Sequence, residues 1–519
     1  PGKAEARHRA DYAAFAFGVA ERAARALGLT PPADGDLLPP RERALAGLLQ
    51  QVDAARLADQ PDTARALLDS LDAEQRALPE VRLRRAAADF QSGRLDAAQP
   101  EFEALLASAS VKEDPLLHAR VLAGLGNLFL RRDDYPRVER LAEQSIALLG
   151  ALAPSVELGN AYVGRAIARS AQFRFDQAVA DFAQGRVVFE SVGDRFGIAR
   201  VDANLGILEA RRERYAEALP LLDDVAGRLA SFHDLSSELF VRVTASYAHL
   251  ALLDPAAALA GEPRLRELVA REPNPQYARY ATIARVDALD ANGRLAEANE
   301  LLQGVLKESA AANDDALLGS ARIVAARMAL AAGDAAAAAR LAGAALAKTW
   351  EAETPRERAG AWLIQLRAQI AQRSPEAPAS LAAMTAWAAQ ENGPITRLMA
   401  DLASAEQAAA AGDSARAGPA FESALALAEA ARVPEDLLEV CSVYAAWLIR
   451  SGDLARAGAV AARVASWAPR SYEAALLQAR LYRALEQPAA ARNAIAQARR
   501  LAGERVLPPM LDDEATVKR

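Results

Sequence analysis

Four histidines (His8, His118, His233 and His249) and a single cysteine, Cys441, are the side chains of this 519-residue chain best suited to metal binding or nucleophilic chemistry. No histidine has a second His or Cys three or four residues away, so no helix face offers the pair a zinc site needs. His118 and His233 fall near turns between helices, where a solvated imidazole is the ordinary outcome. His249 falls inside a helix, where its ring suits a neighbouring carbonyl. Cys441 lies in the apolar run Val440-Cys441-Ser442-Val443-Tyr444 and reads as a buried, inert thiol. The carboxylate pairs Asp223-Asp224, Asp314-Asp315 and Asp512-Asp513 are adjacent in sequence, and adjacent helical side chains diverge by about 100° instead of converging for acid–base work. The first two pairs are expected near helix ends, as caps or solvated charge. There is no Walker-type run and no G-x-G-x-x-G after a strand. The residues predict no catalytic centre, no metal site and no cofactor, and the chain reads as non-enzymatic.

What positions the side chains is a 40-residue beat. Alanine recurs at Ala98, Ala178, Ala218, Ala258, Ala298 and Ala338, with Val138 in the one gap, and the series continues at Ala377, Ala417 and Ala457. The interval shortens to 34 residues at both ends, from Ala64 to Ala98 and from Ala457 to Ala491. A fixed period of this size marks stacked units, each too small to bury its apolar face alone. A second ladder lies 22 to 24 residues before most beat positions: Pro115, Pro154, Pro275, Pro355, Pro394, Pro434 and Pro469, replaced in other units by Asp194, Asp234 and Asp314-Asp315. Proline tolerates the first helical turn because its missing N–H would be unpaired there, and aspartate caps that turn and opposes the helix dipole. A third ladder, Gly93, Gly293, Gly333, Gly412 and Gly452, sits about five residues before the beat, where glycine takes the left-handed backbone that closes a helix. Each unit therefore reads as helix, tight turn, helix. One such pair runs from Pro115 to about Arg131 and from about Asp134 to Leu149, each helix spanning roughly 25 Å at ~1.5 Å per residue. The units at Leu253-Asp254-Pro255 and Arg373-Ser374-Pro375-Glu376 lack the glycine and are expected to be irregular, as kinks or changes of pitch.

Composition agrees. Apolar residues make up 52% but aromatics only 5%, and alanine, the commonest residue, is the best helix former and lets helices approach closely. Strand content is expected near zero. The formal charge of −7 and a pI of about 5.5 give no general attraction to nucleic acid or to an anionic membrane. Nearly all basic residues are arginine; lysine occurs only at Lys3, Lys112, Lys307, Lys348 and Lys518. That balance suits phosphate or carboxylate recognition, although the composition of a GC-rich bacterial genome explains it more simply. One cysteine precludes an internal disulfide, and no apolar run reaches the ~20 residues that span a bilayer. The chain opens at Pro1, so a preceding portion is expected. The compartment is periplasmic if that portion ends in a transmembrane helix and cytoplasmic otherwise.

Several short patterns resemble the tetratricopeptide (TPR) repeat: Ala98 followed by Phe102, Ala417 followed by Phe421 and Ala424, Leu125-Gly126 with Phe129, Leu205-Gly206, and the last unit with Tyr482, Ala491 and Ala498. Period 34 is the TPR length. The 40-residue units resemble the longer arrays of the maltose-regulator type. Ser191-Val192-Gly193-Asp194-Arg195 leading into Ala203-Asn204-Leu205-Gly206 is similar to arrays fused behind bacterial winged-helix regulators and Ser/Thr kinases. The resemblance covers roughly residues 39 to 505. It implies an all-α, right-handed superhelical solenoid of about twelve helix-turn-helix repeats over residues 39–507. Residues 1–38 are expected to form an N-terminal capping helix (Arg9 to Leu27, ended by Gly28 and Pro31-Pro32) and a linker, and residues 508–519 a frayed tail.

In TPR proteins the first helix of each unit lines the concave face. Phasing by the beat puts Arg120, Asn127 and Arg131 on that face, then Asn160 and Ile167, then Arg200 and Arg211, then Phe240, Tyr247 and Leu250. Tyr280, Asp287 and Asp290 follow, then Arg327, then Trp362. Packing competes with binding as the role of each. Gly126-Asn127 resembles one corner of a clamp for a peptide carboxylate, but the further Asn and Lys residues of such a clamp are missing. The mid-array aromatics Phe232, Phe240, Tyr247, Tyr277 and Tyr280 suit either a binding hot spot or ordinary core. The expected partner is a protein, peptide or small ligand in this groove, with neither nucleic acid nor membrane engaged by the region. The expected role is the sensory or scaffolding arm of a larger bacterial signalling regulator; the alternative is a stand-alone structural adaptor that assembles an envelope or secretion complex.

Overall fold

The structure, a computed structural model, describes residues 40–57, 60–272, 274–348 and 354–511. The capping helix expected within 1–38, His8 and the pair Asp512-Asp513 lie outside the described residues. Those residues hold twenty-six α-helices and no strand, an all-α helical-repeat solenoid. Successive long helices pair as hairpins in chain order, from Pro40–Leu57 with Pro61–Asp69 to Tyr472–Ala484 with Pro488–Ala502; Ala73–Ala77 and Ala109–Glu113 are short connectors.

The beat marks one structural position. From Ala64 to Ala491 the beat residue is the fourth residue of the hairpin's second helix, except that Ala377 opens its helix. None is more than 4% exposed. A larger side chain there would push two helices apart, which is why the position is small in every unit. The proline and aspartate ladder marks the start of the first helix. Pro115, Pro275 and Pro355 are first helical residues behind Asp114, Asn274 and Thr354, whose side chains accept N–H bonds of the opening turn. Asp194 accepts from the amides of Phe196 and Gly197, and Asp314 from that of Leu317. Two prolines depart from the expectation. Pro154 and Pro469 lie outside their helices, which start at Val156 and Tyr472 behind the capping serines Ser155 and Ser471.

The turn inside the hairpin recurs from Gly93 to Glu486. Gly93, Gly293, Gly333, Gly412 and Gly452 have φ from 73 to 83°. Asp133, Phe173, Glu213, Leu253, Arg373 and Glu486 take the equivalent left-handed position without a glycine. In each case the following amide donates to the carbonyl five residues back, as in Asp134 to Phe129 at 3.0 Å, Asp254 to His249 at 2.8 Å and Ser374 to Gln369 at 2.8 Å. This bond closes the helix end and fixes the conformation whatever the residue type. The expected irregularity at Leu253 is thus corrected, since its turn is regular; at Arg373 the left-handed turn is kept but the next helix starts late, at Ala377, so that unit departs from the pattern as expected. A second correction concerns Asp223-Asp224, which lie mid-way along Tyr215–Ser231, exposed, with Asp224 3.5 Å from Arg228.

The chain divides into two compact units. Unit 1 contains the described residues through Val201 together with Ser231–Asp234; unit 2 contains Asp202–Ala230 and the described residues from Leu235 onward. Each buries its own aliphatic and alanine core between successive hairpins, as around Phe102, Leu125 and Leu128 in unit 1 and around Leu402, Phe421 and Tyr444 in unit 2. At the C-terminal end of unit 2, Pro509–Leu511 form a 3-10 turn and Leu511 is buried in that core; the rest of the expected tail lies outside the described residues.

Candidate functional site

Neighbouring first helices face one another, and side chains one repeat apart or nearly so are joined directly in several places. In unit 1 the Arg120 guanidinium donates to Glu157 at 2.7 Å. Arg131 donates to the Phe90 carbonyl at 2.8 Å and covers the Phe90 ring at 4.1 Å. Arg200 donates to Asn160 Oδ1 at 3.0 Å, an interval of 40 residues. Asn127 is exposed and Ile167 half-buried. The aromatic Phe232, grouped with the mid-array rings on sequence, instead meets Phe196 edge-on at 5.4 Å.

In unit 2 the same faces are more enclosed. Phe240 packs against Tyr277 and Tyr280, with centroids 4.7 and 5.7 Å apart; Tyr247, Tyr277 and Tyr280 lie half-buried against a core of Leu239, Val243, Leu265 and Leu268. Leu250 is half-buried beside them in the chain. Arg327 bridges Asp287 and Asp290, the latter at 3.4 Å. Burial pushes the Asp287 carboxyl up to about 6, with Arg327 opposing and Asp290 adding to the rise. Burial likewise raises the phenols of Tyr247 and Tyr280; Asp287, Tyr280, Glu357 and Arg327 act on the first, and Arg211 and Glu357 on the second. Six of the residues expected to line the groove (Arg211, Tyr247, Tyr280, Asp287, Asp290 and Arg327) therefore share one electrostatic neighbourhood. Trp362 stands apart from it in register. It packs against the core of the C-terminal repeats, its indole N–H buried without a hydrogen-bond partner.

The residue in register with Arg327 is Arg367, which sequence reasoning missed. It pairs with Glu406 at 2.6 Å and with Glu439. Extending the spacing Tyr247, Asp287, Arg327 by one step would have found it. Arg356 was also missed, and no local pattern announces it. Its guanidinium donates to both oxygens of Asp436 at 2.7 and 2.9 Å and to Glu213 at 2.8 Å, across 80 and 143 residues of chain. Burial lowers its pKa, but Asp436 and Glu213 outweigh that and hold it well above the usual value. Nearby, Glu435 and Glu473 are reached by water yet deeply surrounded by protein, which raises both carboxyls. Neither forms an ion pair among the described residues. The arrangement is an internal surface of aromatic rings, arginines and a surplus of carboxylates, suited to holding a polar chain by hydrogen bonds and charge.

No group of three or more His, Cys, Asp and Glu among the described residues could hold a metal ion, and no helix there is long and apolar enough to cross a membrane. Cys441 is fully buried, its thiol pushed up to about 12 by burial. His233 occupies a left-handed turn between hairpins, and His118 is half-buried in the first turns of its helix, where burial and then Lys112 lower its pKa.

No family model matches the sequence, and no curated protein matches it. Among solved structures, the chain is similar to a Rap protein complexed with competence and sporulation factor, at 11% identity, over 75% of this chain and 98% of that one, with a TM-score of 0.46. It is similar to the Cut9–Hcn1 hetero-tetramer of the APC/C at 14% identity, over 88% and 86%, with a TM-score of 0.45. A third likeness is to the apo form of RapI, at 12% identity, over 65% and 92%, with a TM-score of 0.41.

Proposed function

We propose that this chain is a non-enzymatic recognition scaffold that holds a protein or peptide along the first-helix face of unit 2. The observation that carries the reading is the first-helix face where Phe240 packs on Tyr277 and Tyr280, with Tyr247 half-buried beside the same core, and Arg327 bridges Asp287 and Asp290. Aromatic rings offer large contact area at low entropic cost, and fixed charges set orientation. The finer reading, a sensory or scaffolding arm of a bacterial signalling regulator, follows from the resemblance of the repeats to arrays in such proteins.

The test is site-directed photo-crosslinking in lysate of the source cells, with a photoreactive side chain at Tyr247 or Tyr280 and a control at Leu221, which is 40% exposed on a second helix of the same unit. The expected result is a discrete adduct from the two tyrosine sites and none from the control. Equal adducts from all three, or none from the tyrosines, would defeat the reading.

A further inference from the structure

We propose that three consecutive hairpin turns of unit 2, at Glu213, Leu253 and Gly293, form an edge onto which the C-terminal repeats close, and that the last of these contacts is a releasable clasp. The three residues share the left-handed turn position seen in the hairpins from Gly93 to Glu486. At Gly333, Gly412 and Gly452 the same position is glycine with nothing within 4 Å of where a Cβ would be. The three turns of the edge differ because something meets each of them. Glu213 accepts from Arg356, which also holds Asp436. Leu253 belongs to the core cluster of the C-terminal repeats, with Leu402, Phe421 and Leu477, and Arg470 donates to the adjoining Leu252 carbonyl at 3.2 Å. A leucine with positive φ is unfavourable for the turn alone; burial of its side chain explains its presence.

At Gly293 the contact is backbone to backbone. A Cβ there would lie 2.2 Å from the Ala502 carbonyl oxygen, and one on Gly503 would lie 2.7 Å from that of Gly293. The Glu504 amide donates to the Gly293 carbonyl at 2.8 Å, and the Glu504 carboxylate accepts from the Ala296 amide at 2.8 Å. It thereby caps the helix Leu295–Ala311, whose own N-cap residue supplies no side-chain bond. Arg505 lies over the Tyr472 ring at 5.1 Å and donates to the carbonyls of Asp290 and Ala291. The clasp therefore grips the end of the helix that carries Asp287 and Asp290. It is made by three residues beyond the last long helix, so it can open while the hairpins stay folded. This inference concerns the free protein and does not require the recognition reading.

Gly293→Ala tests it against Gly333→Ala, in the 519-residue chain. Both add a methyl at the same kind of positive-φ turn, but only the first collides with another part of the chain. Amide exchange is read at Ala296 and Glu504, and a spin-label distance between the exposed positions Glu300 and Ala496 after Glu300→Cys and Ala496→Cys. For Gly293→Ala, exchange at the two amides should rise about tenfold or more and the label distance should lengthen, as for a local opening; Gly333→Ala should leave both unchanged. If Gly293→Ala does not fold, the double variant Glu504→Ala, Arg505→Ala should show the same release. Equal behaviour of the two glycine variants, or unchanged exchange and distance in Gly293→Ala or in the double variant, overturns the proposal.

Discussion

The first helices of units 1 and 2 carry arginines that sit in different surroundings. In unit 1, Arg120 and Arg200 each reach the adjoining repeat, and Arg120 keeps half of its side chain in water. In unit 2 the neighbour pairs persist, Arg327 with Asp287 and Arg367 with Glu406, but Arg356 adds contacts across 80 and 143 residues. Repetition alone produces the first pattern. The second requires distant repeats to meet, as Arg356 does with the buried Asp436.

The largest expected effect breaks that difference directly. Arg356→Ala leaves Asp436, only 1% exposed, buried without its bidentate partner, and should lower unfolding free energy by about 3 kcal/mol, because an orphaned buried charge costs more than the pair contributes. Chemical denaturation measures it, and a loss no larger than for a surface pair would show that the long-range contact is incidental.

A second effect is pH-dependent. The folded pKa of Asp287, about 6, lies above its ordinary value of about 3.9. Between these values the folded chain holds the proton that the unfolded chain has lost, so stability falls as pH rises from about 4 through about 6 and then levels off. The fall attributable to this group is about 3 kcal/mol by the difference in pKa. Asp287→Asn should flatten the pH profile of the melting temperature in that window; a profile unchanged from wild type would show that burial does not raise this carboxyl.

The smallest effect sharpens the comparison from the other side. Arg120→Ala should change stability by no more than about 0.5 kcal/mol, the ordinary worth of a half-exposed ion pair. A loss comparable to that of Arg356→Ala would erase the distinction between the two faces.

Much of this was legible in the sequence because repetition writes itself there. The beat alanines announced the helix contact, and Asp194 and Asp314 announced helix starts. The turn was legible only where it was glycine. At Glu213 and Leu253 the backbone is the same, but the residue type answers to a neighbour instead of the turn. Of the site, the ladder through Tyr247, Asp287 and Arg327 could be phased, and Arg367 continues it. Arg356, Glu435 and Glu473 could not be found that way, because their surroundings come from superhelical closure, which no 40-residue window contains.

The most direct test of recognition through unit 2 is the affinity of the crosslinked partner for wild-type protein, Arg327→Ala and Arg120→Ala, each confirmed to be folded. The account predicts at least about a tenfold weakening, or about 1.4 kcal/mol, for Arg327→Ala and none for Arg120→Ala. Equal affinities for all three, or a loss confined to Arg120→Ala, would contradict it.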